Sequence, residues 1–176
     1  AANGFGQLLQ ESGGGLTRTY SYDSLGRLTS VMHNDGYGPP SIMTTNYDSL
    51  GRVSQTTDAL GTGSGTATSY NSAGYMQSII DLASSPSVTL YQVKNMDAHG
   101  NVTKAVYGDG TEVVSTYDQN SGLLSNQTAT AVSGKTLQRL DYTWDALANQ
   151  VSRRDRGLLN QTTNTYKDLP QSFCYD

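Results

Sequence analysis

The sequence predicts an all-β fold built from tandem antiparallel strand–turn–strand units, and three observations support this prediction. Tyr, Thr and Val are abundant among the 176 residues, with 12 Tyr, and these side chains favour the pleated surface of a sheet. No stretch of useful length has the apolar spacing of an amphipathic helix. A short motif also returns along the whole chain, which is typical of a repeat architecture.

The repeated motif is a heptad that begins with Tyr-Asp and has Gly at its fifth position. The copies at 22–28 and 47–53 are nearly identical, and more divergent copies begin at 70, 96, 117 and 144. The spacing of 21 to 27 residues suits hairpins that share one kind of turn and differ in the other. With partial copies at both ends, the sequence predicts a single array of about six repeats over residues 1–176.

Each heptad has the chemistry of a tight turn between two strands. The Asp or Asn at its second position can accept a hydrogen bond from the backbone N–H two residues on, and Gly supplies a positive φ. The aliphatic residue two places after Gly begins the return strand. The residues predicted to form these structural turns are Tyr22, Asp23, Gly26, Tyr47, Asp48, Gly51, Tyr70, Asn71, Gly74, Asp97, Gly100, Tyr117, Asp118, Gly122, Trp144 and Asp145.

Two segments between the heptads allow more detailed predictions. Residues 102–107 and 112–117 flank an Asp-Gly pair, which predicts a hairpin. In the strand before Trp144, the alternation predicts that Leu140, Tyr142 and Trp144 form the packed face. It predicts that Arg139, Asp141 and Thr143 face the other way.

Other features of the sequence argue against several classes of function. The net charge of −4 and the lack of a basic run make nucleic acid an unexpected partner. No run of 18 apolar residues occurs, so no membrane span is predicted, and the N-terminus has no signal-peptide pattern. Cys174 is the single cysteine, and we expect it to be a small buried hydrophobe.

No arrangement of residues in the sequence predicts catalysis, a cofactor or a metal site. His33 and His99 both lie at turn positions, and most Asp residues are the second residue of a heptad. The segment from Asp118 to Gly122 is similar to the start of a calcium loop, but Ala129 stands where the acidic twelfth ligand belongs. We therefore expect no enzyme activity.

The Tyr-Asp-x-x-Gly-Arg-Leu heptads resemble the YD or RHS repeat found in bacterial RHS polymorphic toxins, in the C component of insecticidal Tc toxins, in wall-associated bacterial proteins and in teneurins. This resemblance implies that the antiparallel sheet is curved or spiral and forms part of an RHS-type β-shell. It also implies that the partners are the rest of the parent chain and an enclosed toxin or effector polypeptide. A secreted or bacterial cell-surface location is implied as well. The chain has no Asp-Pro pair, so the self-cleavage motif of the toxin shells is not carried over.

A carbohydrate-binding or cell-surface adhesion module is the alternative function. Aromatic side chains next to Asn, Gln and Asp are what sugar recognition uses. The two hypotheses differ in what they require of Tyr22, Tyr47, Tyr70 and Tyr117. A shell needs these rings packed between repeats, whereas sugar binding needs them exposed along a groove.

Overall fold

The computed structural model describes residues 6–58, 63–160 and 165–175, and the chain divides into two compact units, Ala1–Thr89 and Leu90–Asp176. The described residues contain only strands and turns, which confirms the predicted all-β class. The strands are β1 (Gln10–Gly13), β2 (Leu16–Tyr22), β3 (Leu28–Asn34), β4 (Ser41–Tyr47), β5 (Val53–Thr57), β6 (Gly65–Tyr70), β7 (Met76–Asp81), β8 (Val88–Met96), β9 (Val102–Tyr107), β10 (Glu112–Tyr117), β11 (Leu124–Thr130), β12 (Thr136–Trp144), β13 (Gln150–Asn160) and β14 (Thr165–Ser172).

Within each unit, every strand pairs antiparallel with the next strand in chain order. The first unit contains β1 to β7 as successive hairpins, and the second contains β8, from Leu90 onward, to β14. The register shifts just before the heptad aromatic in several hairpins, for example between Ser21 and Tyr22 and between Asn46 and Tyr47. Such a bulge increases the local twist of the strand as it enters the turn.

Cross-strand hydroxyl pairs link neighbouring strands of the first unit. Thr44 faces Thr57 with 2.6 Å between the hydroxyl oxygens, and Thr56 faces Thr66 at 3.0 Å. Directly opposed side chains of this kind contribute to sheet stability. The abundant Thr of the sequence therefore has a structural use in these pairs.

The buried side chains among the described residues belong to the second unit. They are Val93, Ala105, Leu140 and the polar Ser115. The strand register places all four on one face of that unit's sheet. Gln127 donates from Nε2 to the Ser115 hydroxyl at 3.2 Å, so the buried hydroxyl has a hydrogen-bond partner.

Both detailed sequence predictions are confirmed in the second unit. The hairpin consists of β9 and β10, with strand bounds at 102–107 and 112–117. In β12, Leu140 is buried and Tyr142 and Trp144 are half-buried, whereas Arg139 and Thr143 are exposed. Asp141, which was predicted to face away with them, is also half-buried, because it bonds to Asn126 and pairs with Arg156.

Two further sequence predictions concern membrane-spanning segments and the number of domains. None of the described residues forms a helix of the length and apolar character needed to cross a membrane. The interpretation of residues 1–176 as a single array stays a prediction.

Candidate functional site

Within each unit, the heptad turns lie along one side of the sheet, where the strands end and the chain reverses; here the edge is this side, and not an outermost strand. In the first unit they follow β2, β4 and β6, and in the second they follow β8, β10 and β12. Because consecutive strands run in opposite directions, every second turn falls on the same edge. We call this side of each unit the heptad edge.

The turn that begins at Asp23 shows how the motif works. The Asp23 backbone N–H donates to the carbonyl of Arg27 at 2.9 Å, and the Gly26 N–H donates to the Asp23 carbonyl at 3.0 Å. The Asp23 Oδ1 atom accepts from the N–H groups of Leu25 and Arg27, both at 2.9 Å. Arg27 Nε then donates to Asp23 Oδ2 at 2.7 Å. Both carboxylate oxygens are therefore used within the turn.

The other heptads use their second residue in the same way. Asp48 repeats the whole pattern, with Leu50 and Arg52 as donors. Asn71, Asp97 and Asp145 each accept from the N–H groups two and four residues on. In the fifth copy, which has one additional residue, Asp118 Oδ1 accepts from the N–H groups of Asn120 and Ser121.

A positive φ is needed at the fifth heptad position, and the sixth copy meets this need without glycine. Gly26 has a φ of 80° and Gly51 a φ of 81°, in the left-handed region where a side chain is costly. Ala148 has a φ of 63° at the corresponding position. The hydrogen bonds of that turn are the same as in the others, so the backbone geometry is kept at the cost of strain.

An aromatic side chain opens five of the six copies and the partial copy at Tyr175, and each of these side chains bonds to the preceding repeat. Its O–H or N–H donates to the backbone carbonyl of the residue two places after the preceding glycine position. These bonds tie consecutive hairpins together at the heptad edge. They join Tyr22 to Leu8 (2.9 Å), Tyr47 to Leu28 (2.8 Å), Tyr70 to Val53 (2.7 Å), Tyr117 to Val102 (3.2 Å), Trp144 to Leu124 (2.7 Å) and Tyr175 to Gln150 (2.9 Å).

Two arginines of the first unit add a further link between repeats. The guanidinium carbon of Arg27 lies 4.3 Å from the centre of the Tyr47 ring, and that of Arg52 lies 4.1 Å from the centre of the Tyr70 ring. Each guanidinium also pairs with the Asp of its own heptad, with a nitrogen–oxygen distance of 2.7 Å. Each arginine therefore joins its own turn to the aromatic ring of the next.

The second unit has other residues at the arginine position. Asn101 and Asn149 donate from Nδ2 to Asp97 Oδ2 and Asp145 Oδ2, at 2.9 and 3.0 Å. These amides replace the contact within the turn, but they are too short to extend over the next ring as Arg27 does.

The turns favour ionised carboxylates. The backbone N–H of Arg27, followed by its guanidinium, holds the pKa of Asp23 below its ordinary value, and Arg52 does the same to the pKa of Asp48. The side-chain amide of Asn101, with its backbone N–H, lowers the pKa of Asp97. Such low values suit hydrogen-bond acceptors and do not suit a general acid near neutral pH.

Two structural features were not predicted from the sequence. Arg27 and Arg52 stand at the same position of the two nearly identical heptads, which was the available signal for their role. The turn from Ala131 to Lys135 has the same backbone bonds as a heptad turn, with Gly134 N–H donating to the Ala131 carbonyl at 2.8 Å. The glycine alone could have indicated it.

Among the described residues, the remaining candidates do not form a catalytic or metal-binding site. Cys174 is exposed, so the prediction that it is buried is wrong; it follows the end of β14, outside the packed part of the sheet. His99 is exposed in the turn after β8, as predicted, but His33 is half-buried and pairs with neighbouring strands inside β3, so its predicted turn position is wrong. Within the described ranges, no three His, Cys, Asp or Glu side chains are grouped so that they could hold a metal ion.

Comparisons with known proteins agree with this geometry. The family model described as RHS Repeat matches residues 3–37. The fold is similar to that of a chain in the Photorhabdus luminescens Tc holotoxin pore with a mutant TccC3, with a TM-score of 0.76 and 17% identity over 96% of this chain. It is also similar to chains in the crystal structures of TcdB2-TccC3-Cdc42 and TcdB2-TccC3, each with a TM-score of 0.70 and 17% identity over 86% of this chain.

These similarities establish a shared fold. The chain spans only 8% to 9% of the length of those Tc toxin chains. No curated protein sequence matches it significantly. Residues 3–37 match the RHS repeat, and the heptads carry the same turn motif along the rest of the described chain, so the chain is similar to a run of RHS repeats of the YD type.

Proposed function

We propose that this chain is a segment of the wall of a β-shell that encloses a toxin or effector polypeptide in the parent protein. The observation that supports this most directly is the use of the heptad side chains. Tyr47 donates its hydroxyl to Leu28 of the preceding repeat, and its ring is covered by Arg27. The conspicuous residues of the motif are thus engaged in holding repeats together, as a wall requires.

The fold supports the same proposal. The similar chains belong to Tc toxin complexes, one of which contains TcdB2, TccC3 and Cdc42. By analogy, the partners of this segment are the rest of its parent chain and the polypeptide that the shell encloses. We further propose a secreted or cell-surface location and a mechanical role without catalysis.

Limited proteolysis of the parent protein tests the shell. We expect the enclosed polypeptide to resist a protease that digests it rapidly when it is expressed alone. An Arg27→Ala/Arg52→Ala double variant should weaken the wall and increase cleavage, whereas Arg153→Ala, at an exposed position of β13, should not. Equal digestion of the enclosed and free polypeptide would contradict the proposal.

A carbohydrate-binding or adhesive function has one observation in its favour. The rings of Tyr142 and Trp144 are stacked with centroids 6.2 Å apart and an interplanar angle of 21°. They border an open groove with Asp118, Ser121 and Asp145, which supplies both ring surface and polar groups. Sugar recognition uses this combination of side chains.

A glycan array on the 176-residue chain distinguishes the two functions. Under the shell proposal we expect no binding at micromolar concentration. Saturable micromolar binding that is lost in Tyr142→Ala but kept in Tyr37→Ala would favour the carbohydrate-binding module. Tyr37 is a suitable control because it is 96% exposed in a loop of the other unit.

A further inference from the structure

In the first unit, an arginine side chain fills the space between consecutive heptad turns. The Arg27 guanidinium lies over Tyr47, and its Nη1 atom is 3.2 Å from where a Cβ on Gly51 would stand. Arg52 lies in the same way over Tyr70 and beside Gly74, at 3.5 Å. We call this space the arginine slot. Its walls are the Asp of one turn and the aromatic ring and glycine of the next.

The first of the corresponding slots in the second unit is open. It lies between the turns that begin at Asp97 and Asp118, where Asn101 stands at the arginine position and bonds back to Asp97. Space is free for 4 Å around the Cβ position of Gly122, the counterpart of Gly51. The empty slot forms a groove of about 430 Å³, and its lining includes Asp97, Tyr117, Asp118 and Gly122.

The walls of this groove retain the groups that hold a guanidinium in the first unit. Tyr117 presents an aromatic ring, and such a ring attracts a cation over its face. Asp97 and Asp118 supply carboxylates whose pKa values are lowered by hydrogen bonds within their own turns, from Asn101 and from Ser121, so both are charged at neutral pH. Ala98 and Thr103 complete a lining suited to the methylene stem of a long side chain.

We infer that this open slot binds the guanidinium group of an arginine side chain supplied by another polypeptide segment. The bound group would lie over Tyr117, beside Gly122 and within reach of the Asp97 carboxylate, as Arg27 lies with Tyr47, Gly51 and Asp23. Arginine fits better than lysine because its planar guanidinium can stack on a ring and pair with a carboxylate at once. The inference goes beyond the shell proposal and does not depend on it.

NMR titration of the 176-residue chain with N-acetyl-L-arginine methylamide tests the site. The titration is run at about pH 7.5, where the Asp97 and Asp118 carboxylates that line the groove with His99 are charged. We expect saturable shifts of the Ala98, Tyr117 and Gly122 amide signals at millimolar concentration, weakened by added salt. The lysine analogue should bind more weakly, and the neutral citrulline analogue should not bind.

A variant that fills the slot from within provides the second test. Asn101→Arg should abolish the arginine-induced shifts and raise the melting temperature by a few degrees, since it restores the arrangement of Arg27. Asn149→Arg is the matched control, because it makes the same change in the turn that begins at Asp145 and should leave binding at Tyr117 intact.

Three results would overturn the inference. The first is that the wild-type chain shows no shifts with the arginine probe at tens of millimolar. The second is that the citrulline analogue gives equal shifts, and the third is that a folded Asn101→Arg variant binds the arginine probe as the wild type does. The comparison of the three probes requires only the wild-type chain, so the test stands even if a variant fails to fold.

Discussion

The Arg27 guanidinium lies 4.3 Å from the centre of the Tyr47 ring while it pairs with Asp23 of its own turn at 2.7 Å. One side chain therefore connects two consecutive repeats. In repeat proteins, contacts between neighbouring units supply a large part of the stability, because an isolated hairpin is marginal in water.

Removal of this contact should weaken the first unit. We expect Arg27→Ala to lower the free energy of unfolding by about 1 kcal/mol, as the stacking on Tyr47 and the partly exposed ion pair are both lost. Urea unfolding measures the loss. Arg27→Lys should recover only part of it, and Arg153→Ala, at an exposed position, should change little; an effect of Arg153→Ala as large as that of Arg27→Ala would contradict this explanation.

The aromatic hydroxyls should contribute separately from their rings. Tyr47→Phe keeps the ring under Arg27 but removes the donor to the Leu28 carbonyl, so we expect a loss of about 1 kcal/mol in unfolding free energy. Tyr37→Phe is the control, since Tyr37 is 96% exposed. If both variants unfold at the wild-type urea midpoint, the hydrogen bond to Leu28 does not stabilise the fold.

Ala148 offers a site for stabilisation. Ala148→Gly should relieve the strain of a φ of 63°, and after the larger backbone entropy of glycine in the unfolded chain is subtracted, we expect a gain of about 0.5–1 kcal/mol. Thermal unfolding measures the gain. Ala146→Gly in the same turn should lower stability instead, and a gain of equal size there would show that strain at Ala148 is not the cause.

The heptad carboxylates should make stability depend on acid pH. Backbone and side-chain hydrogen bonds lower the pKa values of Asp23 and Asp48 in the folded chain, so the unfolded chain binds protons more readily. Their contribution is complete above the unfolded pKa of about 4 and is lost as the pH falls through the folded values.

Urea midpoints measured from pH 7 to pH 3 check this direction. The wild-type midpoint should be nearly constant above about pH 5 and fall below it. Asp48→Asn should flatten part of the fall, because Asn accepts the same backbone bonds at position 71 but has no charge to lose. A midpoint that rises on acidification would contradict the assignment.

Local chemistry allowed much of the fold to be predicted from the sequence. An Asp or Asn followed three residues later by Gly defines its own turn, since the hydrogen bonds and the positive φ involve residues at most four apart. The hairpin of β9 and β10 could be placed for the same reason, because the Asp109-Gly110 pair fixes where the chain reverses.

Contacts between repeats depended on the tertiary structure. Arg27 and Tyr47 are twenty residues apart, and only strand pairing brings a guanidinium over that ring. The structure also shows that the space beside Gly122 is open. Asn101 takes the heptad position that Arg27 has in the first unit, and the sequence alone does not show that this change leaves the space empty. The sequence by itself determined where the chain turns, since turns are local; the tertiary structure decided what lies between the turns, since that depends on how neighbouring hairpins align.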